Sequence, residues 1–177
     1  RTNLLPAAKA FKAGVPYVLV FSGPMTPDRR AALDNAGVVL SEFLPTDSFA
    51  AFLGKATPAA LRAVPGLMGV YDVDAAWKVS PTLGQAKAES GELKAVEARG
   101  KRAVTISLFA GASPDAALAA MQAVAGFELL SFSDEGGAWA VTAAVVPGSE
   151  AALAAIDAVH FIDEAPELTA RNTTVRW

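Results

Sequence analysis

Cysteine is absent from the 177-residue chain, which excludes a disulfide framework, a thiolate metal site and a cysteine nucleophile, while leaving the redox compartment open. Histidine occurs once, as His160, so chemistry that needs a histidine pair or a His-x-x-x-His helix is excluded. No apolar run approaches the ~18 to 20 residues that span a bilayer, and no membrane partner is expected. The sequence starts at Arg1 without a methionine or an apolar signal core, from which a processed or trimmed chain is expected. Basic residues are missing from one whole stretch: no Lys or Arg lies between Ala103 and Ala170. Residues 1–102 carry 13 Lys and Arg against 9 Asp and Glu, whereas residues 103–177 carry 2 against 9. Such an acidic segment repels a phosphate backbone, so nucleic acid is not expected as a partner. It suits a solubilising surface or a basic partner.

What is present is core-forming sequence, 53% hydrophobic and 19% charged, a composition that disordered chains do not have. It is organised as an internal repeat. The run Tyr17-Val18-Leu19-Val20-Phe21 leads through Ser22-Gly23 to Thr26-Pro27-Asp28. The run Val104-Thr105-Ile106-Ser107-Leu108-Phe109 leads likewise through Ala110-Gly111 to Ser113-Pro114-Asp115. Each predicts a strand, a glycine turn and a helix: Thr26 and Ser113 suit the N-cap, proline costs nothing at N1, and the aspartate favours the positive helix end. Gly37 and Gly126 are the expected left-handed helix ends. Second strands are predicted at Val38–Phe43 and Phe127–Phe132, with turns at Pro45-Thr46-Asp47 and Asp134-Glu135-Gly136-Gly137. Third strands follow at Ser48–Leu53 and Ala138–Val146, second helices at Ala59–Val64 and Ala151–Ile156, and last strands at Val70–Asp74 and Val159–Asp163.

Each copy therefore reads βαββαβ, and the chain as α+β with two tandem ferredoxin-like units, each an antiparallel four-stranded sheet with two helices on one face. The first unit is expected over residues 1–90 with its core at 16–80, and the second over 91–170 with its core at 102–166. An extended tail, 171–177, follows. Residues 80–100 read as a linker that can carry a short helix. At about 70 residues apiece the units are near the size where a lone core is marginal, so mutual packing is expected. The first strand of copy one is apolar on both faces, Val18 and Val20 opposite Tyr17, Leu19 and Phe21. Its outer face is therefore expected to meet the second unit or another protein.

No catalytic constellation is expected. His160 reads as a structural residue of the last strand, and Ser107, Ser131 and Ser133 lie within predicted sheet rather than on a strained nucleophile elbow. Asp72-Val73-Asp74 and Asp163-Glu164 lack the glycine and spaced acceptors of a calcium loop, and neither metal nor cofactor is expected. Gly23 and Gly111 follow the first strands where a tandem small-molecule-binding regulatory module would bind its ligand, although either glycine also simply permits a tight turn. A non-inhibitory interaction domain is a further reading.

The stretch from Tyr17 through Phe21-Ser22-Gly23-Pro24 to Gly37, with Ala60-Leu61-Arg62-Ala63-Val64-Pro65-Gly66-Leu67 and Trp77-Lys78-Val79-Ser80-Pro81, resembles the N-terminal prodomain of bacterial subtilisin-like serine proteases. The likeness is good over residues 16–82, weak over 102–168 and absent from the linker. The ending Arg171-Asn172-Thr173-Thr174-Val175-Arg176-Trp177 is similar to the connector before the catalytic domain in such proteins. The resemblance implies the pro-region of a secreted or periplasmic bacterial protease, a folding chaperone and autoinhibitor whose partner is the catalytic domain of the same precursor. It implies that the tail, Thr174, Val175, Arg176 and Trp177, adds as a strand to the substrate cleft. With Trp177 as the natural end, Trp177 would fill S1, Val175 S3 and Thr174 S4. It further implies acidic side chains capping helix N-termini of the protease, for which Asp134, Glu135, Glu42 and Asp47 are the candidates. Family prodomains have one such unit where this chain has two; the second, nearest the tail, is expected to dock at the cleft.

Overall fold

The computed structural model describes residues 2–6, 10–85, 91–134 and 136–166. Among them the chain runs β1 (Pro16–Phe21), α1 (Pro27–Asn35), β2 (Val39–Leu44), β3 (Ser48–Phe52), α2 (Pro58–Arg62) and β4 (Leu67–Asp72). After a 3-10 turn (Ala75–Lys78) and α3 (Gly91–Ala98), the second copy follows as β5 (Arg102–Leu108), α4 (Pro114–Gln122), β6 (Glu128–Asp134), β7 (Trp139–Val145), α5 (Glu150–Ala154) and β8 (Val159–Glu164). The two antiparallel sheets have the orders β2-β3-β1-β4 and β6-β7-β5-β8. Both are the split-βαβ order, so the molecule is α+β with two tandem ferredoxin-like units.

The local signals act as their chemistry requires. The hydroxyls of Thr26 and Ser113 accept from the N–H groups of Arg29 and Ala116, with Pro27 and Pro114 in the first turn. These bonds satisfy helix donors that would otherwise lack a partner. Gly37 and Gly126 adopt φ of 78° and 79°, a left-handed conformation that glycine enters without a Cβ penalty. In each sheet alternate residues face the helices. Tyr17, Leu19 and Phe21 pack with Leu33 of α1 and Leu61 of α2, and Val104, Ile106 and Leu108 pack with Met121 of α4 and Leu153 of α5.

The hairpin β2–β3 turns through Thr46 and Asp47, whose φ values are 64° and 50°. Two consecutive left-handed residues match the twist of hairpin strands, although neither is glycine. The Phe21 N–H donates to the Asp47 carbonyl at 3.0 Å and pins the turn to the end of β1.

Residues 75–85 lie between the two repeats and pack on the second. Val79 pairs in parallel with Ile162 on the free edge of β8, and the Ser80 N–H donates to the Ile162 carbonyl at 2.8 Å. Helix α3 then crosses the outer face of the second sheet, setting Val96 against Ala103 and Ala144. Its end is tied by Arg99 and Lys101, which pair with Glu128 at 3.2 and 3.0 Å. Hydrogen bonds from Lys101 and then Arg99 hold the Glu128 carboxyl below the usual glutamate range. The linker thus carries a helix, and that helix serves the second unit.

Candidate functional site

Two surfaces concentrate the residues that sequence reading singles out: the seam between the units and the outer face of the second sheet. The seam explains the doubly apolar strand β1. Since Tyr17, Leu19 and Phe21 face the helices, Val18 and its neighbours face away, and Val18, Ala50 and Phe52 are nevertheless buried. The second unit covers part of this face. Phe109, at the end of β5, stands edge-on to Phe52 with ring centroids 6.4 Å apart, and Ala112, Leu44 and Val73 join the cluster. Gly111 sits at φ 89° with the Phe52 ring 3.7 Å from where a Cβ would project. Its left-handed backbone is what calls for glycine, since a Cβ would meet the ring only at ordinary van der Waals distance. The expectation that this face is covered is met, and the cover comes from within the chain.

Lys78 seals the seam from another side. It is 4% exposed, and its Nζ donates to the Ile156 carbonyl at 3.0 Å and the Asp157 carbonyl at 3.5 Å, beyond the end of α5. The ammonium lies 5.8 Å from the centre of the Phe109 ring, within reach of a cation–π attraction. Burial pushes the amine below the usual lysine range, and Asp157 pulls weakly the other way.

At the rim of the seam the structure assembles a chain of three polar side chains. The Glu42 carboxylate on β2 lies 2.9 Å from His160 Nε2 on β8, and His160 Nδ1 lies 3.4 Å from Ser107 Oγ on β5. The Ser107 hydroxyl also reaches the Phe161 carbonyl at 3.4 Å. The His160 ring sits 4.8 Å from that of Phe109. His160 and Ser107 are each expected from sequence to be sheet residues, which they are. Their meeting with Glu42 depends on how the units dock, and no local pattern announces it.

The outer face of the second sheet is a different surface. The register aligns Ser131, Thr142, Thr105 and Asp163 in one row across four strands, and Ser133, Ala140, Ser107 and Phe161 in the next. Every one of these side chains points away from the helices. Helix α3 covers the end of the face at Ala103 and Ala144, while Ser131, Ser133 and Asp163 are exposed and the rest of the two rows is partly so. The result is a field of small and hydroxyl side chains across β6, β7 and β5, edged on β8 by Asp163 and Phe161, the counterpart of the covered apolar face in the first unit.

The capping candidates fare differently. Glu42 is engaged by His160. Asp134 accepts from the Gly137 N–H at 2.6 Å within its own turn. Asp47 occupies the tip of the β2–β3 hairpin, pinned through its carbonyl, and no hydrogen bond or ion pair joins its carboxylate to another described residue. Glu135 and the tail residues Thr174, Val175, Arg176 and Trp177 lie outside the described residues. Of the glycines weighed for ligand binding, Gly23 has its carbonyl held by Arg29 at 2.6 Å, and Gly111 faces Phe52. Both positions are used by the chain itself. Among the described residues no three His, Asp or Glu side chains cluster as a metal site, and no helix is long and apolar enough to cross a membrane. No protein-family model matches the chain, and neither the curated proteins nor the solved structures give a match.

Proposed function

We propose that this chain is the pro-region of a secreted subtilisin-like serine protease, acting on the catalytic domain of the same precursor as folding chaperone and autoinhibitor. The observation that supports the reading is the asymmetry between the two outer sheet faces. The first unit's is apolar and covered through Phe109, which leaves that unit a supporting role. The second unit offers the open field around Ser131, Thr142 and Thr105, and β8, the last strand before the tail, lies in the same sheet. Small side chains let the backbone of a partner element approach closely, and hydroxyls supply hydrogen bonds without a charge to desolvate. In this reading the sheet face anchors the pro-region, and the tail from Thr174 to Trp177 reaches the substrate cleft, where strand addition supplies affinity. The acidic sequence of residues 103–170 suits a partner whose facing surface is basic or carries helix N-termini. Asp47, on the first unit, is the described capping candidate whose carboxylate is not taken up by another described residue.

Inhibition of the catalytic domain by the separately produced chain tests this. The wild-type chain is expected to inhibit at nanomolar concentration or below. Thr142→Arg, which plants a long charged side chain in the open field, and deletion of residues 174–177 are each expected to weaken inhibition at least tenfold while the melting temperature of the chain stays put. Absence of inhibition by the wild-type chain, or full inhibition by both variants, would overturn the proposal.

A further inference from the structure

We infer that Ser107, His160 and Glu42 form a rudimentary acyl-transfer site at the rim of the seam, with Ser107 as nucleophile and His160 as its base. This inference is independent of the protease reading above. It rests on the order of groups: a carboxylate 2.9 Å from one ring nitrogen of the only histidine, and a serine hydroxyl 3.4 Å from the other. The Glu42 carboxylate can only accept, so it fixes the neutral imidazole as the tautomer with its proton on Nε2. The lone pair is then left on Nδ1, on the side of Ser107. This is the division of labour of a nucleophile, a base and an orienting carboxylate, which is recognised by role and geometry rather than by sequence order. Here Nδ1 faces the serine and Nε2 the carboxylate. The serine contact is long for a hydrogen bond, as such contacts often are before substrate binds.

The surroundings define the substrate. About a third of the His160 and Glu42 side chains is exposed, 32% and 29%, and Ser107 is partly exposed, so all three groups meet solvent in part. The partly exposed ring of Phe161 stands 6.4 Å from that of His160 and offers an apolar seat, while the Phe109 ring, 4.8 Å away, backs the histidine from within the seam. A carboxylic ester with a short apolar acyl group and a good leaving group fits this arrangement.

In the first step Ser107 Oγ bonds to the ester carbonyl carbon as its proton passes to His160 Nδ1. The tetrahedral adduct then breaks its bond to the leaving oxygen, which departs with that proton as the free alcohol, leaving an acyl ester on Ser107. Water, deprotonated by His160, attacks the acyl carbon in turn; the carboxylic acid leaves and the proton returns to Ser107. Glu42 touches no reacting atom and is a positioning residue. General-base assistance by itself is worth about 10²-fold or somewhat more, so the activity is that of a modest esterase.

The test treats the full chain with p-nitrophenyl acetate and, separately, with a fluorophosphonate, and locates the adduct by peptide mass mapping. The expected result is a single acetyl or phosphonyl group on Ser107, with an initial burst of nitrophenolate. Ser107→Ala and His160→Gln are each expected to lower hydrolysis about 10²-fold with the circular dichroism spectrum unchanged. Glu42→Gln is expected to lower it at least tenfold, and Glu42→Asp to restore part of that loss, as an orienting carboxylate requires and mere packing does not. An adduct elsewhere than Ser107, no adduct, or a Ser107→Ala variant as active as wild type would overturn the inference. The mapping uses the wild-type chain, so it decides the matter even where a variant misfolds.

Discussion

Replacing Phe109 by alanine tests whether the two repeats depend on each other. The side chain is 4% exposed and touches three elements of the seam: the Phe52 ring of the first unit, His160 of β8 and, over its face, Lys78. Burying a phenylalanine is worth about 3 kcal/mol by area, and edge-on aromatic contacts add about 1 kcal/mol. A cavity between two sheets that cannot collapse raises the cost a little further, so about 4 to 5 kcal/mol is expected, inside the usual range for Phe→Ala. With a urea m-value of about 2 kcal/mol per M, the midpoint falls by about 2 M. The loss lies on the contact between the units, so cooperativity should fall with stability. Trp77 and Trp139 report on the junction and the second unit, whereas circular dichroism reports on both units. The two probes are expected to give one midpoint in the wild-type chain and separated midpoints in Phe109→Ala. A loss below about 1 kcal/mol would refute the reasoning, because it would mean that the outer face of the first sheet does not need this ring.

Burial lowers the Lys78 amine pKa in the folded chain, so between that lowered value and the ordinary lysine range the unfolded chain binds the proton and the folded chain does not. Stability therefore rises with pH over this interval, and Lys78→Met is expected to flatten the rise when urea midpoints are compared from pH 7 to 10.5; parallel slopes would contradict it. Gly66 has φ 73°, and a Cβ there would collide with the Arg29 guanidinium, which binds the carbonyls of Gly23 and Pro24. Gly66→Ala is thus expected to cost about 2 kcal/mol, against about 1 kcal/mol for Gly37→Ala at φ 78° in open space. Most of the excess should vanish in an Arg29→Ala background, as a double-mutant cycle would show, the remainder coming from the Ser22 hydroxyl 2.8 Å from the same position. Thr46→Gly relieves a β-branched residue at φ 64° and is expected to stabilise by up to about 1 kcal/mol in thermal unfolding; a loss of stability would show that the threonine side chain contributes a contact.

The two copies were legible because their signals are local. A proline after a hydroxyl residue, a glycine at a left-handed position and alternation along a strand depend on neighbours within a few residues, and the structure answers to them at Thr26, Ser113, Gly37 and Gly126. Strand ends shifted by one to three residues, as at β4, which begins at Leu67 rather than Val70, because the ladder with β1 runs past the apolar core of the run. The seam was legible only by half. An outer face that is apolar at Val18 and Ala50 says that something covers it, but nothing in the residues of β1 says that Phe109 does, because that contact is set by how the units dock. Glu42 shows the same limit more sharply. By composition it is one exposed-strand carboxylate among several; by docking it becomes the partner of the only histidine, and that pairing takes it from the acids available to cap a partner's helix. The docking that occupies the face of the first unit leaves the face of the second open beside the strand from which the tail departs. A chain whose copies had docked the other way round would hold the same motifs and present the opposite surface, so the seam, and not the repeat, decides which face is open.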